Sequence, residues 1–486
     1  MLTRRHLLTA AATAGFAAAL PRPLEKYDYR RALGSPSPMR SGKTVEIALV
    51  SQERQVALPC FNGKTLPMWT FTEGAWPPVI RLNHGDRLHA TLENKLPRAD
   101  QLNSIHWHGI RLPNSQDGVP YLVQQPIEPG QRCEYSFVPP DTGTFFFHTH
   151  CNTVEQLGRG LMGVLIIDGD TTQPYDADEL LLLRDWRVDA EAGEFNSFYT
   201  LRGAARAGSY GAVRSVNGAV NPEIRLPAAG DCRLRLVNTD PTRILRIGVE
   251  DAEAAVVAID GVAARPFTLS TWPMAPGTRV DLVIRAPQDG EVARLVDSAN
   301  EERPVTMARL VGQGAPRRTS YFDPAPLRRS RIPEPSVAGA TVLDFVFETS
   351  DAGRAFAALA DINGAEMAPL CMSEKYFWTI NGKPWPDHGN ARLPPPLAVL
   401  ARNRSYVFRM RNNTPFTHPI HIHGHSFKRY ASTRQKWTPH NVDTFLLLPG
   451  EEAHSAIVAD NPGDWMIHCH VLEHQESGMM GYFRVT

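Results

Sequence analysis

A Pro-Gly turn followed by an apolar stretch occurs three times in this chain, at Pro129-Gly130, Pro276-Gly277 and Pro449-Gly450. The outer two copies stay in step: Gly130 to His148 and Gly450 to His468 are each 18 residues, with Gly143 or Gly463 five before the histidine. Upstream, GDRLHATLEN at 85–94 is echoed by GDCRLRLVN at 230–238 and more weakly by RSYVFRMRN at 404–412. Such self-similarity means that one structural unit is repeated. At about 150 residues per domain, 486 residues hold about three. Short apolar stretches at 79–82, 87–92, 105–110, 134–138 and 162–167 lie between Gly, Pro, Asn or Asp turns and read as strands. The expected fold is all-β: three tandem sandwiches over 41–169, 172–313 and 341–486, with a Pro- and Arg-rich linker at 314–340. Eighteen residues beyond Gly277 stands Leu295, so the middle copy carries no histidine there and is expected to be structural.

The chain opens MLTRRHLLTAAATAGFAAAL, with Arg4 and Arg5 before an apolar stretch at 7–20 that is too short to span a bilayer. Paired arginines followed by Leu7 and Leu8 resemble a twin-arginine export signal, an ordinary secretory leader being the alternative. Either reading removes residues 1–19, with cleavage at Ala17-Ala18-Ala19, and sends the chain to the periplasm. Lys+Arg and Asp+Glu are equal at 51, so no overall field selects nucleic acid or an anionic membrane. No later apolar run is long enough to span a membrane, and a monomer acting on small molecules is expected. Export allows disulfides among Cys60, Cys133, Cys151, Cys232 and Cys371, with the pairing left open.

Eleven of the 17 histidines fall in four short clusters. These are His106-Trp107-His108; His148-Thr149-His150; HPIHIHGH, with His418, His421, His423 and His425; and HCHVLEH, with His468, Cys469, His470 and His474. On a strand, residues i and i+2 share a face, so each H-x-H sets two imidazoles side by side, as a shared metal site requires. Imidazole suits Cu, Zn, Fe and Ni, so the pairs alone leave the metal open. One such pair reads readily as two half-buried strand histidines; four clusters do not. His84, His89, His388, His440 and His454 read as ordinary surface or core residues, and His425 stays unassigned.

The last cluster narrows the metal. Cys469, His474 five residues on and Met479 five beyond that, joined by His418, offer two imidazoles, a thiolate and a thioether. That is the ligand set of a blue copper electron-transfer centre. Met480 is an alternative axial ligand on chemistry alone. Strand alternation turns Cys469 to one face and His468 and His470 to the other. The thiolate can therefore serve one copper while its two neighbours serve a second centre, with a short covalent path between them.

HWHG at 106–109, HTH at 148–150, HPIHIHGH at 418–425 and HCHVLEHQESGMM at 468–480 together resemble the multicopper oxidases, specifically their three-domain, laccase-like bacterial branch. The resemblance covers essentially the whole chain after the leader and implies cupredoxin-like Greek-key sandwiches. It implies four copper ions. His418, Cys469, His474 and Met479 would hold the type 1 copper, and His106 and His421 the type 2 copper. His108, His148, His150, His423, His468 and His470 would hold the type 3 pair. The implied reaction draws four single electrons from a small reducing substrate through Cys469 and reduces O2 to two waters. Asp117, eleven residues after His106, matches the family's acidic residue that supplies protons, its plain alternative being a turn residue before Gly118.

Two departures bear on mechanism and substrate. Where many bacterial members carry a carboxylate after the last type 1 histidine, this chain has Gln475, with Glu476 next. An amide cannot relay protons as a carboxylate does, which weakens a second proton path. Asp443, in NVDTF, matches an acidic residue common in the family and reads as structural support. Cuprous oxidases of the family carry a methionine-rich insertion; with 12 methionines, this chain offers only Met367, Cys371 and Met372 as a soft cluster. Thr414, not a carboxylate, stands four residues before His418. A phenol or aryl-amine oxidase with an open type 1 edge is therefore the leading expectation. Oxidation of Cu(I), Fe(II) or Mn(II) is the alternative, followed by copper sequestration or a non-catalytic envelope role. The four H-x-H clusters also disfavour a two-domain nitrite reductase.

Overall fold

The computed structural model describes residues 42–189, 191–351, 353–354, 376–386 and 393–486. The leader at 1–19, together with Met367, Cys371, Met372 and His388, lies outside them. The regular structure is mainly β-strand, in three pairs of sheets that follow one another along the chain. Each pair opens with a strand that runs parallel to a later one: Thr44–Val56 with Arg87–Lys95, Ala177–Trp186 with Asp231–Asn238, and Thr341–Thr349 with Ser405–Asn412. Parallel neighbours cannot be joined by a hairpin, so the chain must cross over, and each unit becomes a two-layer sandwich of Greek-key type.

The internal repeat is the repeat of this scheme. Each Pro-Gly turn starts the strand that pairs antiparallel with the second parallel partner: Arg132–Phe137, Arg279–Arg285 and Glu452–Val458. Gly143–His148 and Gly463–Cys469 are the equivalent strands that carry His148 and His468 near their ends, and Leu295 lies in Val292–Asp297 of the middle unit. Along Arg87–Lys95 burial alternates residue by residue, with Leu88, Ala90 and Leu92 turned into the first core. Trp107, between His106 and His108, packs on Tyr135, Phe137 and Phe147 at 5.1–5.8 Å. This fixes the strand whose opposite face carries both histidines. The stretch at 105–110 forms strand only over His106–His108, because Gly109 turns the chain at φ +84°.

The units share apolar contacts, such as Trp76 of the first on Trp186 of the second at 5.1 Å, and buried arginines of the middle unit add directional polar contacts. Arg233 reaches Asp170 with Nη1 at 2.9 Å and Nη2 at 2.6 Å, and Asp281 with Nε at 3.1 Å. Arg235 grips Asp178 at 2.6 and 2.9 Å and donates to Thr144 Oγ1 at 2.8 Å, on the strand that leads to His148. Between the first and third units, Arg111 binds Asp460 at 2.9 Å and Asn114 donates to the Asp464 carbonyl at 2.6 Å. No helix among the described residues is long and apolar enough to cross a membrane. Cys60, Cys133, Cys151, Cys232 and Cys469 are free thiols.

Removing one partner of a buried pair strands the other charge. Arg233→Met is expected to destabilise the protein by about 3–5 kcal/mol. Differential scanning calorimetry of the Arg233→Met and Arg233→Met/Asp170→Leu proteins checks this: the single variant should melt earlier and the double should recover part of the loss.

Candidate metal centre

Strand register brings the histidines together. His106 pairs with His148 in the first unit and His421 with His468 in the third. The two sheet ends face each other, so that His106 Nε2 lies 3.4 Å from His421 Nε2 across 315 residues of sequence. Around that contact the buried imidazoles divide into His108, His148 and His470; His150, His423 and His468; and His106 with His421 beside His108. Four come from each outer unit.

The ring nitrogens show what the cluster is built to hold. One nitrogen of most rings is tied to protein: His106 Nδ1 to the Asp117 carbonyl at 3.0 Å, and His421 Nδ1 to the Asp443 carbonyl at 2.9 Å. His148 Nδ1 meets the Thr149 carbonyl at 2.8 Å, His468 Nδ1 the Cys469 carbonyl at 3.0 Å, and His423 Nδ1 the Asp117 carboxylate at 2.8 Å. The remaining nitrogens include His108 Nδ1, His148 Nε2, His150 Nε2 and His470 Nε2, which have no hydrogen-bond partner among the described residues. A buried polar atom left without a partner costs about 1–3 kcal/mol. Burial also drives these rings well below the ordinary histidine pKa, which keeps their lone pairs available. His108 and His148 each have one nitrogen anchored and the other unpartnered, as metal ligands with their orientation set in advance do, while both nitrogens of His470 are unpartnered among the described residues.

The thiolate site lies on the other side of the same strands. His418 and His421 are three residues apart in His418–Ile422, so they point to opposite faces. Cys469 Sγ sits 3.5 Å from His418 Nδ1 and 3.6 Å from His474 Nδ1, and the two nitrogens are 3.1 Å apart. The sheet distinguishes the two methionines. Met480 pairs with His468, whereas Met479 lies opposite Cys469, accepts its N–H at 3.0 Å through the carbonyl, and is fully buried. Burial pushes the Cys469 thiol upward, so a metal is needed to hold it as thiolate. Two imidazoles and a thiolate in one group, and eight imidazoles in the other, fit copper.

The expected open edge is absent. His474 is fully buried, and its outer nitrogen, Nε2, donates to the Arg206 carbonyl at 2.5 Å. Burial lowers its pKa to about 4, against the opposing pull of that carbonyl. Thr414 Oγ1 meets the outer nitrogen of His418 at 2.8 Å.

Asp117 is buried and bridges two ligands, His106 through its carbonyl and His423 through its carboxylate. Gly118 makes this approach possible: a Cβ there would overlap the Ile105 carbonyl. Gln475 is buried with Oε1 unpartnered, while the Glu476 carboxylate accepts the N–H of Thr153 at 2.8 Å, at the start of the helix Thr153–Arg159. His425 is buried outside every ligand group.

The middle unit is more than a spacer. Arg279 forms a bidentate pair with Asp443 at 3.0 and 2.6 Å, and Asp443 Oδ1 lies 3.2 Å from His108 Nε2. Burial opposes ionisation of Asp443, and the Arg279 guanidinium overrides it, holding the carboxyl below its ordinary range. Asp260 accepts the backbone N–H groups of Asp443 and Thr444 at 3.2 and 3.3 Å. A Cβ on Gly277 would come within 2.9 Å of both His108 and His470. The second Pro-Gly turn, whose copy carries no histidine at the matching position, thus forms a wall of the cluster. The repeat itself was the signal for this; Arg279, two residues past the turn, had none of its own.

Multicopper oxidase family models match residues 54–172, 187–311 and 369–486. A multicopper oxidase structure from Pseudomonas thermotolerans is 34% identical, with a TM-score of 0.79, over 91% of this chain and 99% of that one. Among curated relatives, the multicopper oxidase MmcO of Mycobacterium tuberculosis is 28% identical over 90% of this chain and 86% of its own length. Laccase-2 of Botryotinia fuckeliana is 26% identical over 87% and 79%. The chain belongs to the multicopper oxidase family. It is a copper-dependent oxidoreductase of laccase-like type that uses a reducing substrate and O2.

Gly277→Ala should displace His108 and His470 without unfolding the sandwich. Metal analysis with circular dichroism is expected to show fewer coppers per chain at unchanged β content.

Proposed function

We propose that this protein is a laccase-like oxidase that takes single electrons from phenols or aryl amines and uses four of them to reduce O2 to two waters. The observation that carries this is the strand ending at Cys469, whose thiol faces His418 and His474 while His468 and His470 face the eight-histidine group. We assign four coppers: type 1 to His418, Cys469, His474 and Met479; type 2 to His106 and His421; and the type 3 pair to His108, His148 and His470 and to His150, His423 and His468. Their partition into ligand groups supports this. When bound, copper supplies one-electron uptake at the first site and O2 reduction at the second.

The chain's own residues supply the rest. Cys469 is the covalent link between the sites, and the short segment 468–470 keeps them at a fixed separation. Asp117 holds His423 by its carboxylate and is buried beside His106, so it can deliver protons where O2 is reduced. Gln475 cannot take that role, and Glu476 is engaged at a helix start, which leaves Asp117 as the principal donor. Arg279 keeps Asp443 ionised and aligned on His108. An organic donor is supported by the Laccase-2 relative and by Thr414 beside His418 where a carboxylate would bind an incoming cation. We also take the units as 41–169, 172–313 and 341–486 joined by 314–340, acting as a monomer exported by the twin-arginine leader.

The protein reconstituted with copper should hold close to four coppers, show a blue thiolate absorption and consume O2 with a phenol. Turnover with Cu(I) alone would instead make it a metal oxidase. Asp117→Asn retains the hydrogen bond to His423 but cannot give up a proton. Its kcat is expected to fall by about 10²-fold or more, with copper content and the blue band unchanged; an unaltered kcat would remove Asp117 from the proton path.

A further inference from the structure

The outer nitrogen of His474 is where an electron donor would touch the thiolate site, and the protein has closed it. Above it lie residues 199–210 of the middle unit, including the helix Leu201–Ala204. The Arg206 carbonyl takes the His474 Nε2–H at 2.5 Å. Trp378, whose ring lies 4.6 Å from that of His474, donates its indole N–H to the Ala204 carbonyl at 2.5 Å. The segment is latched by Glu473, the residue before His474. Its fully buried carboxylate accepts the backbone N–H of Thr200 at 2.9 Å and of Ser209 at 2.5 Å, and the Ser209 hydroxyl at 2.9 Å. Tyr199 and Ser477 meet through their hydroxyls at 3.0 Å. Gly203 lets the latch close, since a Cβ there would strike both Ser209 and Glu473.

Two features separate this cap from a loop that merely rests on a site. Its anchor is adjacent in sequence to the ligand it covers, so cap and ligand are positioned by one short segment. Its composition is also selective. Residues 197–213, SFYTLRGAARAGSYGAV, contain two arginines and no Asp, Glu, His, Cys or Met. Nothing in this segment could bind an incoming metal ion, whereas Arg202 is exposed and Arg206 is half-buried.

We propose that residues 199–210 are the docking and electron-uptake surface of the enzyme. An anionic aromatic donor binds on the outer, basic face of this cap, and its electron passes inward through the hydrogen bond between the Arg206 carbonyl and His474, without contact between donor and imidazole. Each donor gives one electron inward and releases its phenolic proton to water, so four donors serve one O2. The inference rests on the assignment of His418, Cys469 and His474 to the electron-accepting copper.

The test compares ferulate with its uncharged methyl ester on the copper-loaded protein, alongside amide hydrogen exchange. In the wild type, the amides of residues 204–209 should be protected, and kcat/KM should favour ferulate by a margin that shrinks as salt is raised. Arg202→Glu should raise KM for ferulate about three- to ten-fold, and raise KM for the ester far less. Thr200→Val/Ser209→Ala should speed exchange across 201–208, retain the blue band and raise kcat/KM for the ester, because the loosened cap admits direct contact. Unprotected amides in the wild type would overturn the proposal. So would equal effects of Arg202→Glu on both donors, or a loosened cap that leaves the ester's kcat/KM unchanged. A wild-type protein that binds copper without a blue band would overturn the copper assignment and the cap proposal together.

Discussion

Eight imidazoles from two units that are not consecutive in the chain meet where those units touch, and the buried arginines of the middle unit brace both of them. Arg235 holds Thr144, four residues before His148 on the same strand, and Arg279 holds Asp443, against which His108 and His421 are set. Arg233, Arg235 and Arg279 are fully buried, where an unpaired guanidinium would be prohibitively costly. Directional, bidentate contacts of this kind fix distance and angle more tightly than apolar packing, which tolerates sliding. A cluster in which two nitrogens from opposite units lie 3.4 Å apart needs that kind of restraint.

The same economy governs the link between the two metal sites. A strand presents alternate residues to opposite faces, so odd spacing separates and even spacing joins. His418 to His421 is an odd step and divides the sites; His421 to His423 is even and keeps both on the cluster side. Cys469 between His468 and His470 makes the division within a single residue. The middle unit retains the sandwich and the turn, and in place of histidines it supplies the glycine and the arginine that fit behind them.

Much of this was legible in the sequence because its cause is local. The H-x-H clusters, the repeated 18-residue step and the Cys-His-Met spacing follow directly from strand geometry, and the ligand groups fall as alternation requires. The choice between Met479 and Met480 needed register, which pairs Met480 with His468. What could not be read was set by contacts between units. HWHG advertises His106 and His108, but nothing near it says that Gly109 is a glycine because the Arg279 side chain passes there. Likewise, Thr414 and the methionine count suggested an exposed histidine edge, while the cover over His474 comes from residues 199–210, more than 260 positions earlier.

The sequence separation inside the cluster also dictates an order of assembly. His106 through His150 are synthesised early, yet every group they join includes a residue beyond 420. Contacts so distant along the chain form last, because the entropy of closing the intervening loop is met only once the other units have docked. Copper affinity is therefore a property of the finished tertiary structure, and the metal marks the end of folding rather than its beginning. A chain truncated before His468 would keep two sandwiches and much of a third and still lack the complete group of His418, Cys469 and His474.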